Sequence, residues 1–132
     1  MRKIQNIHLI VGFFFLAIFL ATGGYLAIIF PTAYGDEEYV RFMYRSNHIY
    51  ILLASLINIA LGCYIDSSNV GKAQKFGSFL VLLSPLILFL AFVVEPSGGL
   101  IDRPITFWGI LALLIGIITH AGSVFLLRRR AV

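Results

Sequence analysis

Four stretches of the chain contain no Asp, Glu, Lys or Arg: Ile4 to Gly35, Ser46 to Ile65, Phe76 to Val94, and Pro104 to Leu127. A helix rises about 1.5 Å per residue and a bilayer's hydrocarbon core is about 30 Å thick, so roughly 20 apolar residues span it. Each stretch is long enough. With no water to bond to, a backbone in hydrocarbon must satisfy its own hydrogen bonds, which favours helices. The strands of a barrel would alternate apolar and polar positions, and these runs do not. The pattern predicts an all-α, integral membrane four-helix bundle, with spans over roughly 5–30, 46–65, 76–95 and 105–127.

Local punctuation sets the expected boundaries. Pro31 follows Phe30 and is expected to close the first span, before the polar run Gly35-Asp36-Glu37-Glu38. Asp66-Ser67-Ser68-Asn69 with Gly71 reads as a short turn after the second. Pro96-Ser97-Gly98-Gly99 is expected to end the third. Arg103-Pro104 opens the fourth, where proline is tolerated because a first-turn N–H has no intrahelical partner.

Composition agrees with lipid as the solvent. Of 132 residues, 60% are hydrophobic and 12% charged, and the mean hydropathy is +0.96. Soluble domains carry roughly 25% charged residues, and a small soluble fold buries only part of its surface. The length suits a single four-span domain with no separate soluble module. The single cysteine, Cys63, excludes an intramolecular disulfide and a multi-cysteine metal site, and its apolar setting suggests an inert packed thiol. The first span is too long and too continuous for the apolar core of a cleaved signal peptide.

The formal charge of +4 does not point to nucleic acid, because the basic residues gather at span ends. Arg2, Lys3, Lys72, Lys75, Arg128, Arg129 and Arg130 fall on one side, and Arg41, Arg45 and Arg103 on the other. By the positive-inside rule this places both termini in the cytoplasm. Tyr34, Tyr39, Tyr44, Tyr50 and Trp108 would then form an outer aromatic belt, with Tyr64 at the inner boundary.

Polar groups at membrane depth are costly and usually face the bundle interior, so they mark where to look for function. His8 lies about one turn into the first span and His120 two turns before Arg128. Their depths differ by only about 6 Å, so one shared site is open to them. On the second span Arg41, His48, Ser55 and Gly62 recur every seven residues, with Arg45 and Asn58 flanking them. That face is expected to meet the first and fourth spans. On the fourth, Gly109, Ala112, Gly116, His120 and Ser123 form a stripe permitting close helix packing, and Thr119 is a further polar residue in the same span. In the third, Pro85 cannot donate to Val81, and Ser84 is placed to satisfy the carbonyl so freed. Glu95 ends that span near the depth of Arg45 and His48. An outer cluster of Arg45, His48 and Glu95, with an Arg45–Glu95 pair, is one expected arrangement; separate solvation of the charges is the other.

Three functional readings follow. The chain is an accessory or oligomerising subunit, its polar stripes serving as helix contacts with a second copy or a larger membrane complex. Alternatively, His8 and His120 ligate haem b or a metal, as histidines on facing helices do in bundle cytochromes; polar packing of each imidazole is the structural counterpart. A third reading is a small-solute or lipid pathway lined by the second span around Asn58. No Gly-rich phosphate loop, H-E-x-x-H, G-x-S-x-G or cysteine pair is present, so no enzyme class is indicated.

Four segments carry a resemblance: His8-Leu9-Ile10-Val11-Gly12, Arg45-Ser46-Asn47-His48-Ile49-Tyr50-Ile51-Leu52, Ala91-Phe92-Val93-Val94-Glu95-Pro96, and Asp102-Arg103-Pro104-Ile105-Thr106. Together they resemble a group of short bacterial inner-membrane proteins with four predicted spans and no assigned function. The resemblance implies a bacterial inner membrane and supplies no mechanism. The membrane proteins of eicosanoid and glutathione metabolism share the outline Arg-x-x-His at Arg45 and His48. Tyr50 and Leu53 stand where that family places Asn and Glu, so its residues do not carry over.

Overall fold

The computed structural model describes residues 3–33, 37–64, 71–98 and 102–130, with the backbone alone at 98 and 126–130. It forms four helices: α1 (Lys3–Ala33), α2 (Glu38–Tyr64), α3 (Lys72–Gly98) and α4 (Pro104–Arg130). All four are long and apolar enough to cross a membrane. The turn expected at Asp66 to Asn69, together with Arg2, Tyr34, Gly35, Asp36 and Gly99, lies outside the described residues. So do the side chains of Arg128, Arg129 and Arg130.

Helix boundaries run past the charge-free stretches. Pro31 lies inside α1 and Pro96 inside α3, where each removes one hydrogen bond without ending the helix. The reason is position: near a C-terminus, few turns remain to be disrupted. Thr32 donates to Ile29 O at 3.0 Å, and Ser97 to Val93 O at 2.9 Å, adding local bonds to these last turns. At its start α2 takes in Arg41 and Arg45, so the helix extends beyond its apolar portion by about two turns.

Each helix packs antiparallel against the next in sequence, while α1 and α4 scarcely touch. The expectation that the second span's polar face meets the fourth is therefore corrected over most of its length. Instead α2 has two buried faces. His48, Ser55 and Gly62 face α1, whereas Asn47, Ile51, Ala54 and Asn58 form a second buried row, with Asn47 and Asn58 bonding to α3. A helix with neighbours on two sides needs both.

Glycines set the spacing. A Cβ on Gly12 would meet Ile59 N at 2.8 Å, and one on Gly62 would meet Leu9 Cγ at 2.6 Å, so α1 and α2 touch backbone to backbone. Between α3 and α4, a Cβ on Gly77 would meet Gly116 O at 2.7 Å, and one on Gly116 would meet Val81 N at 3.0 Å. Such close approach puts the facing backbones in direct dispersion contact along each helix pair.

Toward the other end, Tyr25 and Phe30 of α1, Tyr44 of α2 and Phe92 of α3 form an aromatic cluster. The Tyr44–Phe92 and Phe30–Tyr44 rings meet edge-on at 5.2 and 5.7 Å. Tyr44, expected in the outer belt, is thus a core residue at 5% exposure, while Tyr39 and Trp108 are exposed. Cys63, expected to be packed, is exposed on α2.

Candidate functional site

Two buried polar networks join the helices. The first starts from Pro85. Its ring nitrogen has no proton, so Val81 O loses its helical donor. Ser84 Oγ donates to that carbonyl at 3.0 Å, as the sequence predicts. A second donor comes from α2: Asn58 Nδ2 reaches Val81 O at 3.1 Å and also donates to Ala54 O at 2.9 Å. Both amide protons are then committed to carbonyls, which fixes Asn58 Oδ1 as the acceptor. His8 Nδ1 lies 2.8 Å from that oxygen and must therefore carry the proton. His8, Asn58 and Ser84 are all fully buried. One proline on α3 has in effect set the tautomer of a histidine on α1.

The second network lies at the α3–α4 end of the bundle. Glu95, fully buried on α3, accepts from Thr106 N–H at 2.8 Å and from Asn47 Nδ2 at 3.3 Å. The Thr106 hydroxyl sits 2.5 Å from Glu95 Oε2 and 2.8 Å from Asn47 Oδ1, one proton for two acceptors. Arg103 Nη2 donates to Asn47 Oδ1 at 2.5 Å, and its Nε stands 3.8 Å from Glu95 Oε2. The guanidinium also lies over the rings of Phe42 and Tyr50, at 5.7 and 6.0 Å. Thr106 is the third residue of α4, so its N–H belongs to the first turn, where no intrahelical acceptor exists. The Glu95 carboxylate therefore caps α4 and neutralises the positive end of its dipole. Arg103 reaches this position with φ at 49°, in the left-handed region.

The remaining histidines have separate settings. His48 Nδ1 lies 2.9 Å from Thr22 Oγ1 on α1, and its ring stacks on Phe19 with centroids 4.1 Å apart. Thr22 already donates to Phe19 O at 3.0 Å, so His48 is the donor. His120 is held against α3, with Nδ1 3.2 Å from Ser78 Oγ and Nε2 3.5 Å from Gln74 Nε2.

The expected cluster of Arg45, His48 and Glu95 divides three ways. Arg45 is exposed, its guanidinium 5.9 Å from the centre of the Phe30 ring. His48 turns to α1, and Glu95 pairs with Arg103. Equal depth brought these residues to one level, but successive helical positions differ by about 100°, and Arg45 and His48 do not share the face of Asn47. His8 and His120 each bond to a different partner helix, and no hydrogen bond joins them. Ser55 donates to Leu52 O of its own helix at 2.8 Å. Gly109 and Gly116 face α3, where a Cβ would strike Leu88 and Val81; Ala112 and Thr119 are half-buried.

Sequence reasoning named neither Asn47, Arg103 nor Thr106 as site residues. Each nevertheless lies in one of the segments that carried the bacterial resemblance, and three of those segments converge on Glu95. Among the described residues no group of three or more His, Cys, Asp or Glu is placed to hold a metal. In comparisons with known proteins, no family model, no curated protein and no solved structure matches this chain, so the bacterial group suggested by its segments finds no support there.

Proposed function

We propose that this is a multi-pass protein of a bacterial inner membrane, with both termini in the cytoplasm, acting as an accessory or oligomerising subunit. The observation that carries this reading is the use made of polar side chains. Asn47, Asn58, Glu95, Thr22, Ser78 and the histidines bond to one another or to backbone between the chain's own helices. The faces turned outward carry large apolar side chains such as Phe13, Phe14, Leu20, Ile28 and Ile118. A scaffold that bonds most of its buried polar side chains internally meets lipid or another membrane protein on those faces.

The seven-against-three distribution of basic residues supports the cytoplasmic placement of the termini. A solute pathway along α2 draws no comparable support, because Asn58 uses both of its protons and its oxygen within the bundle. Haem b is likewise disfavoured, since the fully buried His8 ring leaves no open edge for a macrocycle. Crosslinking in native membranes followed by native mass spectrometry tests the proposal. A homo-oligomer or a stoichiometric membrane partner is expected; a strict monomer without partner would sink it.

A further inference from the structure

Glu38, Arg41 and Arg45 stand at i, i+3 and i+7 in the first turns of α2, so they leave the helix along one edge. Glu38 is the outermost, roughly 5 Å beyond Arg41 and 10 Å beyond Arg45 along the axis. Glu37 precedes it, and both carboxylates are exposed. On the other side of the arginines the same edge turns apolar, with Ile49 and Leu56 exposed. The third arginine at this end, Arg103, already has Glu95, Asn47 and two aromatic rings. Arg41 and Arg45 do not: among the described residues neither forms an ion pair or a side-chain hydrogen bond. The exposed Arg45 guanidinium lies against the Phe30 ring. Arg41 is half-buried, and its Nε is enclosed with no acceptor. A cation drawn out of water in this way calls for an anion from outside the chain.

We propose that this edge of α2 binds a zwitterionic phospholipid with a primary ammonium, its phosphate on Arg41 and Arg45 and its ammonium on Glu38. The inference rests on the membrane reading above. Guanidinium forks match phosphate oxygens, and two of them one turn apart can share one phosphodiester. A phosphate held there sets the acyl chains alongside Ile49 and Leu56, apolar surface that a free phosphate would not use. The carboxylates choose among headgroups. An anionic headgroup with no cation of its own would meet Glu37 and Glu38 at its outer end and be repelled. A primary ammonium in that place donates to them instead.

Native mass spectrometry of the chain released from nanodiscs tests this, with equal phosphatidylethanolamine, phosphatidylcholine and phosphatidylglycerol of matched acyl chains. Phosphatidylcholine keeps the phosphate and the charge but replaces every ammonium N–H by methyl. The unmodified chain should retain phosphatidylethanolamine over it by about fivefold, the upper end for an exposed ion pair, and over phosphatidylglycerol as well. Neither comparison depends on a variant folding. Glu38→Gln should erase the preference over phosphatidylcholine, while Arg41→Gln combined with Arg45→Gln should lower retention of all three lipids. The proposal is overturned if the unmodified chain retains phosphatidylethanolamine and phosphatidylcholine equally, if phosphatidylglycerol is retained best, or if Glu38→Gln leaves the preference intact. A chain recovered in the soluble fraction after lysis would overturn the membrane reading itself; a membrane-bound chain without headgroup preference overturns this inference alone.

Discussion

Asn58 on α2 donates a 3.1 Å hydrogen bond to the carbonyl of Val81 on α3, the group that Pro85 deprives of its helical donor. The bond turns a local defect in one helix into a contact between two. Because the other end of the same amide receives His8, three helices depend on one side chain.

Replacing Asn58 by Leu strands both Val81 O, apart from its bond to Ser84, and the His8 Nδ1 proton. A loss of about 1–3 kcal/mol is expected. Pro85→Ala restores a backbone donor to Val81, so the double variant should lose less than the sum of the singles, by about 1 kcal/mol. Reversible unfolding in mixed micelles measures the cycle; strict additivity would show that the two residues are not coupled through that carbonyl.

The pairing of Glu95 with Arg103, rather than Arg45, makes a contrast. Glu95→Ala leaves a guanidinium and the Thr106 N–H without their anion, and should destabilise by about 3 kcal/mol, the low end for a broken buried pair because Arg103 is partly exposed. Arg45→Ala, on the helix surface, should cost less than about 1 kcal/mol. Equal losses in the two variants would contradict the pairing.

Arg103 holds a left-handed backbone with φ at 49°. Gly and Ala remove the guanidinium equally, but only Gly avoids the Cβ strain, worth about 1–2 kcal/mol. Arg103→Gly should therefore be more stable than Arg103→Ala by roughly 1 kcal/mol. Comparison of their unfolding midpoints checks this, and the opposite order would rule out the backbone assignment.

Gly12→Ala and Gly77→Ala place a methyl within 2.8 Å of backbone atoms on the facing helix, Ile59 N and Gly116 O respectively. Either should cost about 1–3 kcal/mol by overpacking. At Gly24 and Gly122 a Cβ meets nothing within 4 Å, and Ala there should be neutral or slightly stabilising through its better helix propensity. A thermal-shift series over the four variants separates the classes.

Read from charge-free runs alone, the four helices were legible because lipid demands about 20 apolar residues and tolerates few exceptions. The Ser84 bond to Val81 O was also legible, since proline's missing donor and a hydroxyl at i−1 are local facts. Neighbour identity was not. Arg45, His48 and Glu95 share a depth, yet depth is one coordinate of two, and rotation about each helix axis is settled by what packs against it. The α2 stripe of His48, Ser55 and Gly62 was seen correctly as an inward face. Its second buried row, from Asn47 to Asn58, was hidden because Ile51 and Ala54 look the same whether they face lipid or protein.

By itself, then, the sequence determined four helices long and apolar enough to cross a membrane and the polar residues costliest to leave on their apolar faces, because transfer energies act on each residue separately. Tertiary structure alone decided that Glu95 caps α4 with Arg103 beside it, and that His8 carries its proton on Nδ1. Both outcomes rest on hydrogen-bond geometry across helices, where a few tenths of an ångström and one rotation choose the partner.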